Sequence, residues 1–302
     1  MASSIRVWLR MGVLALLWGS GFLWIKISLE QGLSPVWITF VRCLLGAGVL
    51  VGLAAAAGQR LPRDRGTWGR LLVAAFFCNA LPFLLFSVGE QTVDSGVAGV
   101  LNATTPLWSL LIGLGLGTER RPGAAGAGGL LLGFAGVLLI FAPWSAGAGL
   151  MSAGVIALLA AAASYAVAFA YMARRLTGRG DGPLALSAAQ LLAATAWSAP
   201  GLAAAGGGPV RVTWAGVLAV VVLGVFATGL TFHLNYRMIA EEGPTAAATV
   251  GYLLPVVSVG LGAVVLDEAL SARVVAGMAV VLVGVALTRV RSREARALEP
   301  VG

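Results

Sequence analysis

The chain has 302 residues, 59% of them hydrophobic and only 11% charged, with a mean hydropathy of +0.94. Such a composition excludes a water-soluble surface and an ordinary soluble domain. A net charge of +8 and a pI near 10.7 would suit nucleic acid, but the basic residues are scattered between apolar segments, as membrane orientation requires.

Apolar stretches separated by short polar breaks fall at 8–29, 34–57, 68–89, 94–117, 123–142, 150–173, 184–204, 214–238, 243–266 and 271–290. A membrane-spanning helix uses about 20 apolar residues, so the pattern predicts an all-α polytopic membrane protein of about ten transmembrane helices. The first stretch follows Arg6 and Arg10 as a signal peptide would, but it runs on through Trp18–Trp24 with no Ala-x-Ala site, so it reads as a retained span. The sixth and seventh stretches are alanine-rich, a composition equally at home in a buried soluble helix. Trp8, Trp37, Trp68, Trp144 and Trp214 sit at stretch ends, where interfacial anchors belong.

Cytoplasmic loops are enriched in Lys and Arg. With both termini cytoplasmic, 16 of the 20 basic residues fall on the inner side; Lys26, Arg211 and Arg273 fall outside, and Arg42 lies within the second stretch. Missing one helix would scramble this asymmetry. The Ala, Gly and Arg bias with a single lysine fits a GC-rich bacterial genome, hence the plasma (inner) membrane. The same counts remove several chemistries: Lys26 follows no glycine-rich phosphate loop, His233 is the one histidine, and Cys43 and Cys78 stand singly in apolar segments. No ATPase, zinc site, disulfide framework or cofactor is expected, and the chain does not read as an enzyme.

A shift of 149 residues places Val97-Ala98 on Ala246-Ala247, Pro106 on Pro255, Ser109 on Ser258, Gly113 on Gly262 and Glu119 on Glu268, with 13 residues from proline to glutamate in both copies. A shift of 147 places Trp18 on Tyr165 and Phe22 on Phe169. Five helices per half, an odd number, put the second copy into the membrane upside down, predicting two inverted repeats at 8–142 and 150–290 and a basic cytoplasmic tail at 291–302.

Leu17-Trp18-Gly19-Ser20-Gly21-Phe22, Arg42, Pro106 with Gly117-Thr118-Glu119, Pro255 with Asp267-Glu268, and Gly277 with Gly284-Val285 resemble the two EamA domains of the drug/metabolite transporter superfamily. The resemblance covers roughly residues 8–290. It implies a ten-helix secondary carrier, typically an exporter of amino acids and related metabolites, with a central cavity lined by the first, third, fourth, sixth, eighth and ninth helices. On those helices the polar and aromatic candidates are Trp18, Ser20, Phe22, Asn79, Phe83, Asn102, Thr105, Tyr165, Asn235 and Tyr252.

The residues carry readings of their own. Pro106 and Pro255 lack a backbone donor and should open their helices, either to expose carbonyls to a pathway or as packing kinks. Arg42 is costly in the membrane unless it pairs or reaches water; Glu30 and Glu90 are its candidate partners, and it reads either as a structural clamp or as a substrate contact. Lys26 either snorkels or binds a carboxylate. His233 shares a face with Arg237 and reads either as a proton-coupling group or as an interhelical hydrogen-bonder. Glu119 and Glu268, just before the fifth and tenth helices, suit structural caps. Gly129 to Gly133 and Gly113 to Gly117 favour close helix contact.

The expected function is secondary transport of a small metabolite, an amino acid by preference, exported by alternating access, with a small-molecule substrate, protons as a coupling partner and the lipid bilayer as surroundings. The alternatives are a passive facilitator without ion coupling and a membrane-embedded lipid-modifying enzyme; the latter lacks an intramembrane carboxylate pair or acidic metal cluster.

Overall fold

The computed structural model of the chain describes residues 2–115, 124–142, 144, 152–176, 182–205, 213–242, 250–265 and 271–297. Among these residues the regular elements are all helical: α1 (Ala2–Glu30), α2 (Pro35–Ala56), α3 (Arg65–Ala75), α4 (Leu81–Gly89), α5 (Ser95–Asn102), α6 (Thr105–Gly115), α7 (Ala124–Phe141), α8 (Ala153–Arg175), α9 (Pro183–Ala204), α10 (Trp214–Gly224), α11 (Thr231–Glu242), α12 (Leu254–Val265) and α13 (Ala272–Ala297). A π turn, Phe76–Ala80, joins α3 to α4, and a second, Val225–Leu230, joins α10 to α11.

By length and apolarity six stretches of the described residues qualify as membrane spans: Trp8–Glu30, Pro35–Ala56, Arg65–Gly89, Ser95–Gly113, Ala153–Arg175 and Trp214–Glu242. Leu131–Ile140, Val250–Val265 and Ala272–Gly284 are shorter apolar helices. The alanine-rich sixth stretch is clearly apolar. The seventh, α9, is outside both groups; it spends positions on Ser187, Gln190, Thr195 and Ser198. α13 runs past the expected end of its span to Ala297, carried by the helix formers Arg, Glu and Ala.

Local chemistry sets the boundaries. Ser34 caps α2, accepting from the N–H of Trp37 at 3.4 Å, with Pro35 at the position where a missing donor costs nothing. Asp64 caps α3 through the N–H of Thr67 at 2.7 Å, and the backbone donors of Thr67 and Gly66 hold its carboxyl below the usual carboxylate range. Gly32, at φ +84°, closes α1, with the N–H of Leu33 returning to the carbonyl of Ser28.

The two π turns have identifiable causes. Pro82 cannot donate to the carbonyl of Cys78, which favours a wider turn before it. The carbonyl of Phe77 there accepts from Ser164 of α8 at 2.6 Å. In the second turn the hydroxyls of Thr228 and Thr231 donate to carbonyls five residues back, those of Leu223 (2.8 Å) and Phe226 (3.0 Å).

The helices pack as a bundle: α7 along α13, α2 along α9, α4 on α8, α1 on α10 and α12, and α5 on α12. α7 and α13 touch backbone to backbone, since a Cβ on Gly284 would stand 2.5 Å from the nitrogen of Gly133 and one on Gly136 2.7 Å from that of Val281. At one end of the bundle Arg10 meets Glu241, and Gly182 lies against Gln59. At the other, Thr213 donates to Gln31 at 2.6 Å and Gly89 abuts Gly154.

Candidate functional site

Seven rings meet in the middle of the bundle. Trp18 and Phe22, four apart on α1, occupy one face. Phe83 and Phe86 come from α4, Tyr165 and Phe169 from α8, and Phe232 from α11, and all are buried. Trp18 meets Tyr165 edge to face at 5.4 Å and Phe169 at 6.0 Å; Phe83 meets Phe232 at 5.7 Å, Phe22 meets Phe86 at 5.4 Å, and Tyr165 stacks on Phe86 at 5.8 Å. Trp18, Phe22, Phe83 and Tyr165 are thus brought together.

Buried polar groups flank this cluster. The guanidinium of Arg42 lies 3.6 Å from the centroid of the Phe83 ring, and its Nε donates to Thr228 Oγ1 at 3.0 Å. With only 4% of its surface exposed, Arg42 does not snorkel. Neither expected acid bonds it: among the described residues its partners are a ring face and a hydroxyl, because α2 crosses the second π turn at that level. On the opposite side Gln190 of α9 donates to Asn79 Oδ1 at 2.7 Å and accepts from the Tyr236 hydroxyl, tying the first π turn to α9 and α11.

Several buried polar atoms have no partner among the described residues: Asn79 Nδ2, both side-chain atoms of Asn235, His233 Nδ1 and both carboxylate oxygens of Glu90. In a bilayer interior an unpartnered polar atom of this kind is costly. Lys26 is part-buried and makes no ion pair among the described residues; its Nζ donates to the carbonyls of Glu90 (3.1 Å) and Val93 (3.4 Å).

The remaining candidates lie apart. Asn102 and Thr105 bracket the break between α5 and α6. Pro106 has no N–H for the carbonyl of Asn102, which accepts from Thr105 Oγ1 at 2.7 Å instead. A 3₁₀ turn, Val250–Leu253, precedes Pro255, and its Tyr252 ring packs against Gly133 of α7. Ser20 returns its hydroxyl to its own helix at Leu17. His233 is half-buried near Arg237, which pairs with Glu241 at 3.1 Å. Glu119 and Glu268 lie outside the described residues. Among the described residues no cluster of three or more His, Cys, Asp or Glu side chains forms a metal site.

Gln190, Thr228, Phe86 and Phe232 were not singled out from sequence. Gln190 had a signal, as the lone glutamine in an otherwise Ala-, Leu- and Ser-rich stretch.

Apolar membrane-length helices enclosing buried, partly unsatisfied polar groups define a multi-pass membrane protein. The chain belongs to the EamA-like transporter family, whose model matches residues 8–142 and 152–290. It is similar to the uncharacterized transporter YvbV of Bacillus subtilis (strain 168), 24% identical over 293 residues that cover 97% of this chain and 94% of that one. It is also similar to the uncharacterized inner membrane transporter YedA of Escherichia coli (strain K12), 26% identical over 267 residues, covering 85% and 82%. The uncharacterized transporter YdfC of Bacillus subtilis (strain 168) matches at 29% over 174 residues, and there the chain spans about half that relative's length, 55%. A solved crystal structure of a protein superposes with a TM-score of 0.76 at 22% identity, covering 96% of this chain and 98% of that one, a likeness of fold. The protein is a membrane transporter, consistent with a role other than catalysis.

Proposed function

We propose that the protein is a ten-helix secondary transporter that exports a small amphipathic metabolite, an amino acid by preference, by alternating access between two inverted five-helix halves at residues 8–142 and 150–290. The observation that carries this reading is an exchange symmetry in the helix contacts. Advance each apolar stretch by five and most of the contacts map onto one another, α1 on α5 being an exception. The third stretch, α3 and α4, on α8 corresponds to the eighth, α10 and α11, on α1; α5 and α6 on α8 correspond to α12 on α1, and α3 on α9 to α10 on α2, while α2 with α9, α5 with α12 and α7 with α13 map onto themselves. The second π turn begins 149 residues after the first, as do Pro255 after Pro106, Thr228 after Asn79 and Phe232 after Phe83.

Two latches follow from that symmetry. Arg42 ties α2 to the second π turn, and Gln190 ties α9 to the first. In an inverted repeat, closing one side resembles opening the other with the halves' roles exchanged, so each latch would strengthen in one state at the expense of its counterpart. For a substrate, the ring cluster offers an apolar surface, and the unpartnered atoms of Asn79 and Asn235 offer both donors and an acceptor. An amino acid with an apolar side chain meets both requirements. Residues 291–302 and both termini are assigned to the cytoplasm of a plasma-membrane protein, supported by the side on which the basic residues gather.

The test is counterflow in proteoliposomes: purified protein, unlabelled solute inside, and a panel of labelled amino acids outside, with empty liposomes as the control. Exchange of one or more amino acids above the control is expected. Its absence across the panel removes the amino-acid assignment.

A further inference from the structure

We propose that Glu90 is the proton-binding site of the transport cycle, making the carrier a proton antiporter. This rests on the alternating-access reading above and deepens it.

Glu90 directly follows α4 and is fully buried, and neither carboxylate oxygen has a hydrogen-bond partner among the described residues. Yet two cations act on it, Lys26 from α1 and Arg42 from α2. Both are held by neutral groups: Lys26 by the main-chain carbonyls of Glu90 and Val93, Arg42 by the Phe83 ring and Thr228. An ionised carboxylate here would draw one of these cations into an ion pair, because a buried unpaired charge is far costlier than a buried neutral acid. Two cations bonded elsewhere, around a buried acid bonded to nothing, suit the neutral carboxyl better than the carboxylate.

Among the described residues the other elements packed on α4 supply no further charge. α8 faces Gly89 with Leu158 and the backbone of Gly154, and its Tyr165 stacks on Phe86. Cys43 on α2 and Cys78 in the π turn are buried thiols. Asp94, in the loop after Glu90, is exposed, as is Glu30 at the end of α1.

The chemistry balances without a co-reactant. On the outer side the carboxylate takes a proton from hydronium, giving the carboxylic acid and water; on the inner side it returns that proton to water. The deprotonated form attracts Arg42. Since Arg42 is the link between α2 and the second π turn, the proton state of Glu90 is coupled to the Thr228 latch.

The experiment uses the full-length reconstituted protein, with the proton and labelled amino acids as probes. A one-unit pH gradient is tenfold in proton activity, so one-for-one exchange supports up to about tenfold accumulation. Expected results are gradient-driven accumulation by the wild type, its loss in Glu90→Gln with counterflow exchange retained, its partial retention in Glu90→Asp, and no change in His233→Gln. In parallel, an infrared carboxylic-acid band is expected in the wild type and in His233→Gln, and lost in Glu90→Gln. The proposal is overturned if Glu90→Gln accumulates like the wild type, if the wild type exchanges but ignores the gradient, or if the band survives Glu90→Gln. Should no amino acid exchange at all, the substrate reading fails, and the infrared comparison alone decides Glu90. If Glu90→Gln does not fold, Glu90→Asp decides by shifting both the pH dependence and the band, and an unmoved pair of readouts overturns the proposal.

Discussion

The guanidinium of Arg42 lies on the face of Phe83, 3.6 Å from the ring centroid, while its Nε reaches a hydroxyl that belongs to the other half of the chain. A buried cation has thus been accommodated with a π face and one neutral acceptor in place of an ion pair. Such a stack contributes about 0.5–2 kcal/mol and depends on the planar guanidinium. Arg42→Lys should therefore destabilise the folded protein by about 1 kcal/mol in reversible detergent unfolding. Arg42→Met should unfold near the wild-type midpoint, because removing a desolvated charge offsets the lost contacts. Counterflow exchange should nonetheless fall sharply in Arg42→Met if Arg42 is a latch; wild-type exchange would reduce it to a packing residue.

Gln190 makes the corresponding connection on the other side, between Asn79 and Tyr236. Hydrogen bonds between membrane helices average about 0.6 kcal/mol and reach about 1.7. A double-mutant cycle of Gln190→Leu and Tyr236→Phe should return a coupling energy in that range. The Asn79–Gln190 cycle should be of similar size, and zero coupling in both would mean that the chain of amides is incidental to the fold.

How much of this was legible beforehand depends on which physical signal is involved. Rough boundaries of the clearest spans follow from apolar length, so α1, α2, α8 and the composite third and eighth stretches fall where hydropathy puts them. The sixth and seventh stretches were the weakest readings because alanine gives little transfer energy; α8 qualifies as a span by length and apolarity and α9 does not. The π turns were invisible: a wider turn needs no distinctive composition, and Pro82 or Thr228 can be reconciled with an ordinary helix. Arg42 drew attention as a charge, but sequence reasoning sought an acid for it. Ring faces and hydroxyls do not announce themselves by charge, so Phe83 and Thr228 were not named as its partners. Gln190 was overlooked because its stretch was judged as a span and not searched for amides.

Orientation has a direct test because both native cysteines are buried and should stay silent. Gln91 and Arg63 are exposed on loops assigned to opposite sides. Gln91→Cys should react with an impermeant maleimide in intact cells, and Arg63→Cys only after permeabilisation. The reverse pattern would place the termini outside and invert the direction of every step proposed above.

The contact between α7 and α13 makes a sharper demand on side-chain volume. A Cβ on Gly284 would stand 2.5 Å from the nitrogen and 2.8 Å from the Cα of Gly133, and one on Gly277 2.9 Å from the carbonyl oxygen of Gly136. These obstacles are backbone atoms, which cannot rotate aside, so the helices must separate along the whole interface. Overpacking of this kind costs about 1–3 kcal/mol. Gly48, on the exposed face of α2, has nothing within 4 Å of an added Cβ. There alanine should be neutral or stabilising by up to about 1 kcal/mol through helix propensity. Gly284→Ala should therefore lower the unfolding midpoint while Gly48→Ala leaves it level or higher. Comparable effects at both sites would mean that α7 and α13 do not approach so closely in the membrane.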